Sequence, residues 1–213
     1  MQRPNISASL AETVREMIVD GRLPAGARVN EVHLAAEMGV SRTPLREALM
    51  GLTAEGALTV VPRLGFHVAP LTRAEFEQLY PIRALLDPEA LRLAGRPGQE
   101  QLAHLAAINE KLRRARTRRE TVALDDQFHL ALVESCPNRV LVALIEQFMR
   151  RTRRYELALM GRRTNLETTA KEHGAILAAL GRGDVRGACA ALRENMKSGA
   201  EPMLEWLREQ GEK

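Results

Sequence analysis

The sequence predicts a mostly α-helical protein with two domains, residues 1–70 and residues 71–213. Aromatic residues make up only 3% of the chain, while alanine, leucine, arginine and glutamate abound. This composition is typical of helices and unlike that of β-sandwiches or barrels. Apolar residues recur at helical spacing through most of the chain, and two short β-type runs, at 58–61 and 66–69, are the exception.

The first two helices are predicted from the residues at their ends. Ser9 and Glu12 have the spacing of a capping box, which predicts a helix that begins at Ser9. That helix is predicted to run to about Asp20, because Gly21 follows it. Asn30 can accept hydrogen bonds from the free N–H groups at a helix start, so it is predicted to cap a second, short helix.

A third helix and a hairpin complete the first domain. Ser41 is predicted to cap a helix that runs to about Glu55, with an apolar stripe that faces a core. The segment PRLG joins the two β-type runs into a hairpin, or wing. Three helices followed by a two-stranded wing is the order of a winged helix-turn-helix, whose recognition helix lies in the major groove of DNA.

The second domain is predicted to be an all-α bundle of about six helices. Thr72 and Glu75 form a second capping box just after Pro70, in the predicted linker. Beyond them the sequence shows no strand signal, and its helical periodicity is interrupted at 95–98, 116–119, 137–138, 161–165 and 181–184. Five interruptions in one helical region give about six helices.

Composition and charge exclude several classes of protein. Two cysteines cannot form a disulfide framework or a cysteine-rich zinc site. The longest apolar run, residues 140–145, is too short to cross a membrane, and the N-terminus lacks the apolar segment of a signal peptide. We therefore expect a cytoplasmic protein without a membrane partner. The net charge of +4 is carried by residues 71–213, where arginine clusters at 113–119 and 150–154 are predicted to be solvated.

Candidate DNA-contacting residues lie on the third helix and the wing. Arg42 and Arg46 are four residues apart, so they share the helix face opposite the apolar stripe, where an arginine can donate two hydrogen bonds to guanine. Hydroxyl groups near a helix start suit phosphate oxygens, and a glycine at the wing tip lets the backbone approach a minor groove. Two arginines that merely solvate a helix are the alternative. The candidates are Ser41, Arg42, Thr43, Arg46, Arg63 and Gly65.

A second candidate site is predicted from polar residues on apolar stripes of the second domain. These residues are Arg83, Asp125, His129, His173 and Asn195. Buried polar groups need partners, so we expect the helices that carry them to surround one polar pocket. One carboxylate and two imidazoles suit a divalent metal such as Zn, Ni or Mn, and a guanidinium suits the carboxylate of a small organic acid.

Other interpretations of these polar residues stay open. Each histidine can be a core residue whose hydrogen bonds are satisfied within the protein. Arg83 can form an internal ion pair with Asp87, four residues along the same helix. Asn195 can be a hydrogen-bonded core amide in either case.

Two groups of motifs resemble one known family. The segments GVSRTPLREAL and VPRLGFHV closely resemble the winged helix of GntR-family bacterial transcription regulators. The segments DDQFHLAL, EHGAILAALGRGDVRGA and IRALLD are similar to the all-helical (FCD) effector domain of the FadR-type subfamily. The resemblance implies a homodimeric repressor of a catabolic or transport operon, which a small organic acid releases from, or tunes on, its operator.

The resemblance also implies a metal site and one missing contact. Many members bind a divalent metal through the Asp and His of D-x-x-F-H and two further histidines. Asp125, His129 and His173 match three of those positions, whereas Asn195 stands at the fourth. We expect a three-ligand site. The best-studied member uses an arginine of the second helix for DNA, and Val32 stands at that place here, so that contact is not carried over.

Two other functions would also use these motifs. In the first, the second domain is a metal-dependent enzyme and the winged helix binds protein. The sequence lacks an H-E-x-x-H motif, a nucleophile motif and a separate general base, so we expect no enzyme activity. In the second, the protein is a metal sensor, for which the missing fourth histidine indicates weak retention of the ion.

Overall fold

The computed structural model describes residues 6–158 and 166–211, with the side chains of the last two of these left undescribed. The contacts of the chain divide into two compact units, one up to Leu71 and one from Thr72 onward. Within the described ranges no helix has both the length and the hydropathy needed to span a membrane. The interruption predicted at 161–165 lies outside the described residues.

The N-terminal unit contains three helices and an antiparallel hairpin. They are α1 (Ile6–Val19), α2 (Glu31–Glu37), α3 (Arg42–Ala54), β1 (Leu58–Val61) and β2 (Gly65–Val68). In the hairpin, Leu58 pairs with Val68, and Val61 pairs with Gly65. The predicted stripe of α3 packs on Phe66 of the wing and on α1, and its leucines are fully buried. The wing is thus anchored to α3 through a shared apolar core.

The start of α1 differs from the prediction, whereas the start of α2 confirms it. In the described part of the chain α1 already includes Ile6, so Ser9 lies inside the helix, where its carbonyl accepts a hydrogen bond from the Thr13 hydroxyl. The spacing of a capping box can occur by chance within a helix. Leu10, the residue after Ser9, is already buried in the core, as expected for a position inside the helix. Asn30 caps α2 as predicted, because its Oδ1 accepts from the backbone N–H groups of Val32 and His33.

The C-terminal unit has seven helices in its described part, one more than the approximate prediction. They are α4 (Arg73–Ala94), α5 (Gln99–Arg113), α6 (Arg118–Val133), α7 (Arg139–Ala158), α8 (Leu166–Gly181), α9 (Val185–Ser198) and α10 (Ala200–Gly211). The additional break falls at Gly199, three residues before Pro202. Proline has no N–H to donate to the carbonyl four residues earlier, so a continuous helix is interrupted at this point.

Helix α4 is the central helix of the bundle and packs against α6, α7, α9 and α10. The Thr72 hydroxyl caps it as predicted, accepting a hydrogen bond from the Glu75 N–H. Two prolines, Pro81 and Pro88, lie inside this helix. Its inward face carries Arg83 and Asp87, both almost completely buried, so the centre of the bundle contains charged groups.

The arginines at 150–154 are not the solvated surface that their clustering predicted. Arg151 lies 2.7 Å from the Glu75 carboxylate, and Arg154 lies 3.3 Å from it. Arg153 forms an ion pair with Asp126 of α6. A charged cluster in a sequence is usually solvated, but here the carboxylates of α4 and α6 lie beside it. These ion pairs connect α7 to both helices.

The two caps predict different effects on stability. Asn30→Ala removes the acceptor for two N–H groups of α2, and we expect it to lower the free energy of unfolding of the N-terminal unit by about 1 kcal/mol. Ser9→Ala is the control. It places a better helix former at an exposed position within α1, so stability is expected to stay the same or rise slightly. Urea unfolding of the full chain measures both, and a larger loss for Ser9→Ala would contradict the position of Ser9 within α1.

Candidate DNA interface and effector cavity

Arg42 and Arg46 lie one turn apart on the exposed face of α3. The guanidinium of Arg46 lies 3.2 Å from the Glu31 carboxylate of α2. The same guanidinium lies 5.6 Å from the centre of the Phe66 ring in the wing. Contacts with two elements therefore place Arg46 beside the wing.

The wing tip brings more positive charge to the same place. Arg63 and Gly65 both have positive φ angles, 65° and 87°, which turn the chain tightly between the two strands. The cleft between the wing and helices α2 and α3 has a volume of about 510 Å³. Four arginines line it, namely Arg28, Arg42, Arg46 and Arg63. The only carboxylate among the described lining residues is Glu31, so the cleft is cationic.

The structure brings four of the six candidate DNA-contacting residues together in this cleft, namely Arg42, Arg46, Arg63 and Gly65. Ser41 and Thr43 are exposed at the start of α3, beside the cleft. Ser41 occupies the cap position, but its hydroxyl makes no cap hydrogen bond within the described chain. Sequence reasoning missed Arg28, which precedes the cap of α2, and it gave no role to Val32, whose side chain is 63% exposed in the cleft.

The polar residues of the C-terminal unit surround one cavity, as their positions on apolar stripes predicted. The cavity has a volume of about 450 Å³ and is lined by residues of α4 and of α6 to α10. Arg83, Asp125, His129 and Asn195 line it. His173 is fully buried beside it, with its Nε2 3.4 Å from Oδ1 of Asp125.

Asp125, His129 and His173 form a compact group of possible metal ligands. Asp125 and His129 lie one turn apart on α6, and His173 reaches them from α8. One ligand atom from each residue lies within 4.8 Å of the others. The ring of His173 stacks on Phe128 at a centroid distance of 3.8 Å, which fixes the orientation of that imidazole. The neighbouring Asp126 points elsewhere, to Arg153.

The protonation of this group suits a cation. Burial lowers the pKa of His129 to about 3, so that its imidazole is neutral at physiological pH. Burial acts to raise the pKa of Asp125, but His129, His173 and Arg83 outweigh it and lower that pKa to about 2. The ring nitrogens of both histidines have no hydrogen-bond partner in the described chain. Buried nitrogens without partners are costly, so this group fits a divalent metal ion.

Arg83 is both an internal ion-pair partner and a cavity residue. Its Nη2 donates to Oδ2 of Asp87 at 2.8 Å, and both side chains are more than 95% buried. Its Nε has no acceptor among the described residues. The ion pair thus keeps the guanidinium in one orientation and leaves part of its donor capacity for another group.

Asn195 makes one of the hydrogen bonds that its amide allows within the bundle. Its Nδ2 donates to Glu172 of α8 at 2.8 Å, and Ser198 donates to the same carboxylate at 2.9 Å. The amide oxygen is buried without a donor in the described chain. This oxygen therefore adds an unpaired acceptor to the cavity wall.

Sequence reasoning missed Tyr80, Arg118, Glu156 and Glu172, which also line the cavity. Tyr80 continues the stripe of Arg83 and Asp87 along α4, and Glu156 continues the buried stripe of α7 that includes Thr152. The same signal that revealed Arg83 could have found these two. Glu172 precedes a buried histidine and Arg118 starts a helix, and neither position carries a stripe signal.

Both units match models of known families. The model described as bacterial regulatory proteins, gntR family, matches residues 6–68, and the FCD domain matches residues 78–198. The chain is similar to the Nta operon transcriptional regulator of Aminobacter aminovorans, with 37% identity over 142 residues, or 64% of this chain and 67% of that protein. It is also similar to a probable D-xylose utilization operon transcriptional repressor of Paenarthrobacter nicotinovorans, with 29% identity over 86% of this chain and 82% of that one.

A solved structure shows the same fold. The structure titled E. coli McbR/YncC matches with a TM-score of 0.80 and 26% identity, over 94% of this chain and 98% of that one. These relatives are named as transcriptional regulators, and none of their names describes an enzyme. The cationic winged-helix cleft, the helical cavity and both family matches lead to one conclusion: the chain belongs to the gntR family of bacterial regulatory proteins, as a DNA-binding transcription regulator with an FCD domain.

Proposed function

We propose that the chain is a homodimeric repressor of a catabolic or transport operon in the cytoplasm, controlled by a small organic acid. Residues 1–70 form its DNA-binding domain, and residues 71–213 form its effector-binding and dimerisation domain. The observation that carries the proposal is the cavity of the C-terminal unit. It has a volume of about 450 Å³ and is lined by Arg83, Asp125 and His129. A repressor named for a D-xylose operon is among its relatives.

The DNA contacts follow from the chemistry of the cleft. Arg42 and Arg46 extend toward base edges in the major groove, and Arg46 can donate two hydrogen bonds to a guanine when it leaves Glu31. Ser41 and Thr43 offer hydroxyl groups to phosphates at the start of α3. Arg63 and Gly65 bring the wing tip to the neighbouring minor groove.

An exposed apolar strip on α7 supports the proposed homodimer. Val140 and Leu144 are exposed one turn apart on α7, and such an apolar strip supports association with a second copy. A twofold dimer places its recognition helices on matching half-sites, so the operator is expected to be an inverted repeat.

Arg46→Ala is expected to reduce the discrimination between operator and unrelated DNA by about 1–3 kcal/mol. The preferred site is first selected with the unaltered protein from a pool of random duplexes. Gel shifts then compare the selected site with a scrambled one. The control is Arg22→Ala, which removes the same charge from an exposed position outside the cleft and should keep the discrimination. Equal discrimination by Arg46→Ala and the unaltered protein would show that α3 does not read bases through Arg46.

Asp125, His129 and His173 would hold a divalent ion such as Zn, Ni or Mn, which would supply a Lewis-acid anchor for a carboxylate. Three residues from two helices leave coordination positions for an effector or water. Arg83 would bind a carboxylate of the same effector by charge-assisted hydrogen bonds. The effector would change DNA affinity by binding one arrangement of the dimer better than another.

Two adjacent carboxylates test the metal site. Asp125→Asn is expected to weaken metal binding by at least about 10-fold, because even the loss of a residue that supports a ligand costs that much. Asp126→Asn is the matched control, since it keeps the size of the side chain and an acceptor for Arg153, and its metal affinity should be unchanged. Titration calorimetry with Zn, Ni and Mn measures both variants. Equal weakening by the two substitutions would rule out Asp125 as a specific ligand.

A metal sensor is the second candidate, because an asparagine replaces the fourth histidine that the family resemblance implies. In that case the ion itself is the signal, and it must leave easily. Operator binding measured with metal alone, and then with metal and small carboxylic acids, separates the two functions. A response to metal alone indicates a sensor, whereas a response only to the acid indicates an effector-controlled regulator.

A further inference from the structure

The charges on the cavity wall do not suit a ligand that is only an anion. Among the described lining residues, four carboxylates face two guanidiniums, those of Arg83 and Arg118. The carboxylates are those of Asp125, Glu156, Glu172 and Glu205. Asp87 also offsets the charge of Arg83. A divalent ion bound by Asp125, His129 and His173 would raise the net charge of the cavity wall only to about zero. The wall would then attract an organic anion only weakly.

Glu156 places a carboxylate on the cavity wall. Its side chain forms no ion pair with any residue in the described part of the chain. Burial, together with the carboxylates of Asp126 and Asp125, raises its pKa to about 8. Arg83 and Arg153 act to lower that pKa but do not outweigh burial and the two carboxylates, so a further positive group would stabilise the ionised form of Glu156. The wall therefore offers a place for a cation of the ligand.

Asn195 needs a hydrogen-bond donor from the ligand. Its side chain is more than nine-tenths buried, and Glu172 fixes its amide so that the oxygen is the atom left without a donor. A carboxylate cannot donate a hydrogen bond to that oxygen, whereas an ammonium group or a hydroxyl group can. An ammonium group is the one of these donors that also brings a positive charge for Glu156.

Arg83 has the opposite requirement. Its buried Nε is a donor without an acceptor in the described chain, so it suits a carboxylate. Arg83 and Glu156 are close enough for each charge to shift the pKa of the other. One small molecule can therefore reach both.

Building on the proposed effector function, we propose that the effector is an amino-acid-type zwitterion, whose carboxylate binds Arg83 and whose ammonium group binds Glu156 and the amide oxygen of Asn195. A hydroxy acid with the same carbon skeleton can satisfy Arg83 and, through its hydroxyl, Asn195, but it carries no positive charge for Glu156. The distinction between the two classes lies in one functional group, which makes it measurable.

Matched pairs of compounds test the proposal on the metal-loaded full chain. The pairs are L-aspartate and L-malate, L-glutamate and L-2-hydroxyglutarate, L-serine and L-glycerate, and L-alanine and L-lactate. In at least one pair the amino acid is expected to bind about 10- to 100-fold more tightly, the range for a hydrogen bond to a charged group. Titration calorimetry gives the affinities, and thermal shifts of the protein give a second readout.

A substitution links the preference to one residue. Glu156→Gln keeps the shape of the side chain and removes its charge, so it should reduce the preference for the amino acid to within a few-fold of unity. Glu146→Gln is the control, because Glu146 is on the same helix, is paired with Arg150 and does not line the cavity. It should leave the preference unchanged.

The outcomes separate this inference from the function on which it rests. If hydroxy acids bind as tightly as their amino-acid partners, or if Glu156→Gln leaves the preference unchanged, the zwitterion inference is wrong while the organic-acid site stands. If no compound of either class binds, the assignment of the cavity as an organic-acid site is wrong as well.

Discussion

The C-terminal unit depends on one constraint, that charged groups inside a helical bundle need partners of opposite charge. The pair Arg83–Asp87 keeps two charges inside α4, and Asp126–Arg153 joins α6 to α7. Glu75 of α4 receives two arginines of α7. Separating a buried ion pair leaves an unpaired charge inside the protein, which is strongly destabilising. These contacts therefore restrict how the helices can pack. Among the described residues, Arg83, His129 and Asn195 line the cavity and each keeps a buried polar atom without a partner, which is why these atoms indicate a ligand.

The winged helix was predictable almost element by element, because its signals are local. Asn30 caps α2, the runs at 58–61 and 66–69 form the two strands to within one residue, and the leucine stripe of α3 faces the core. The prediction that α1 begins at Ser9 was wrong, since the helix already includes the residues from Ile6 onward. Local patterns give element types more reliably than element ends.

The cavity was predictable only in part, for a different physical reason. A polar residue on an apolar stripe, such as His129 or His173, shows from the sequence that it is buried, but not which partner it meets. The ion pairs of Arg151 and Arg153, and the hydrogen bond from Asn195 to Glu172, join helices that are far apart in the chain. Such contacts depend on helix packing, and no spacing along the sequence encodes them. The break at Gly199 was missed similarly, although Pro202 nearby carried a signal.

Helix α4 connects Thr72, where the C-terminal unit begins, to Arg83 in the cavity, eleven residues further along the chain. At 1.5 Å per residue this is a distance of about 16 Å. Pro81 lies between the two points and cannot donate to the carbonyl of Glu77, so one rung of the helical hydrogen-bond ladder is absent there. Bending at this rung breaks no hydrogen bond. Proline positions are where helices bend, so the segment between Thr72 and Arg83 contains a place where α4 can bend without unwinding.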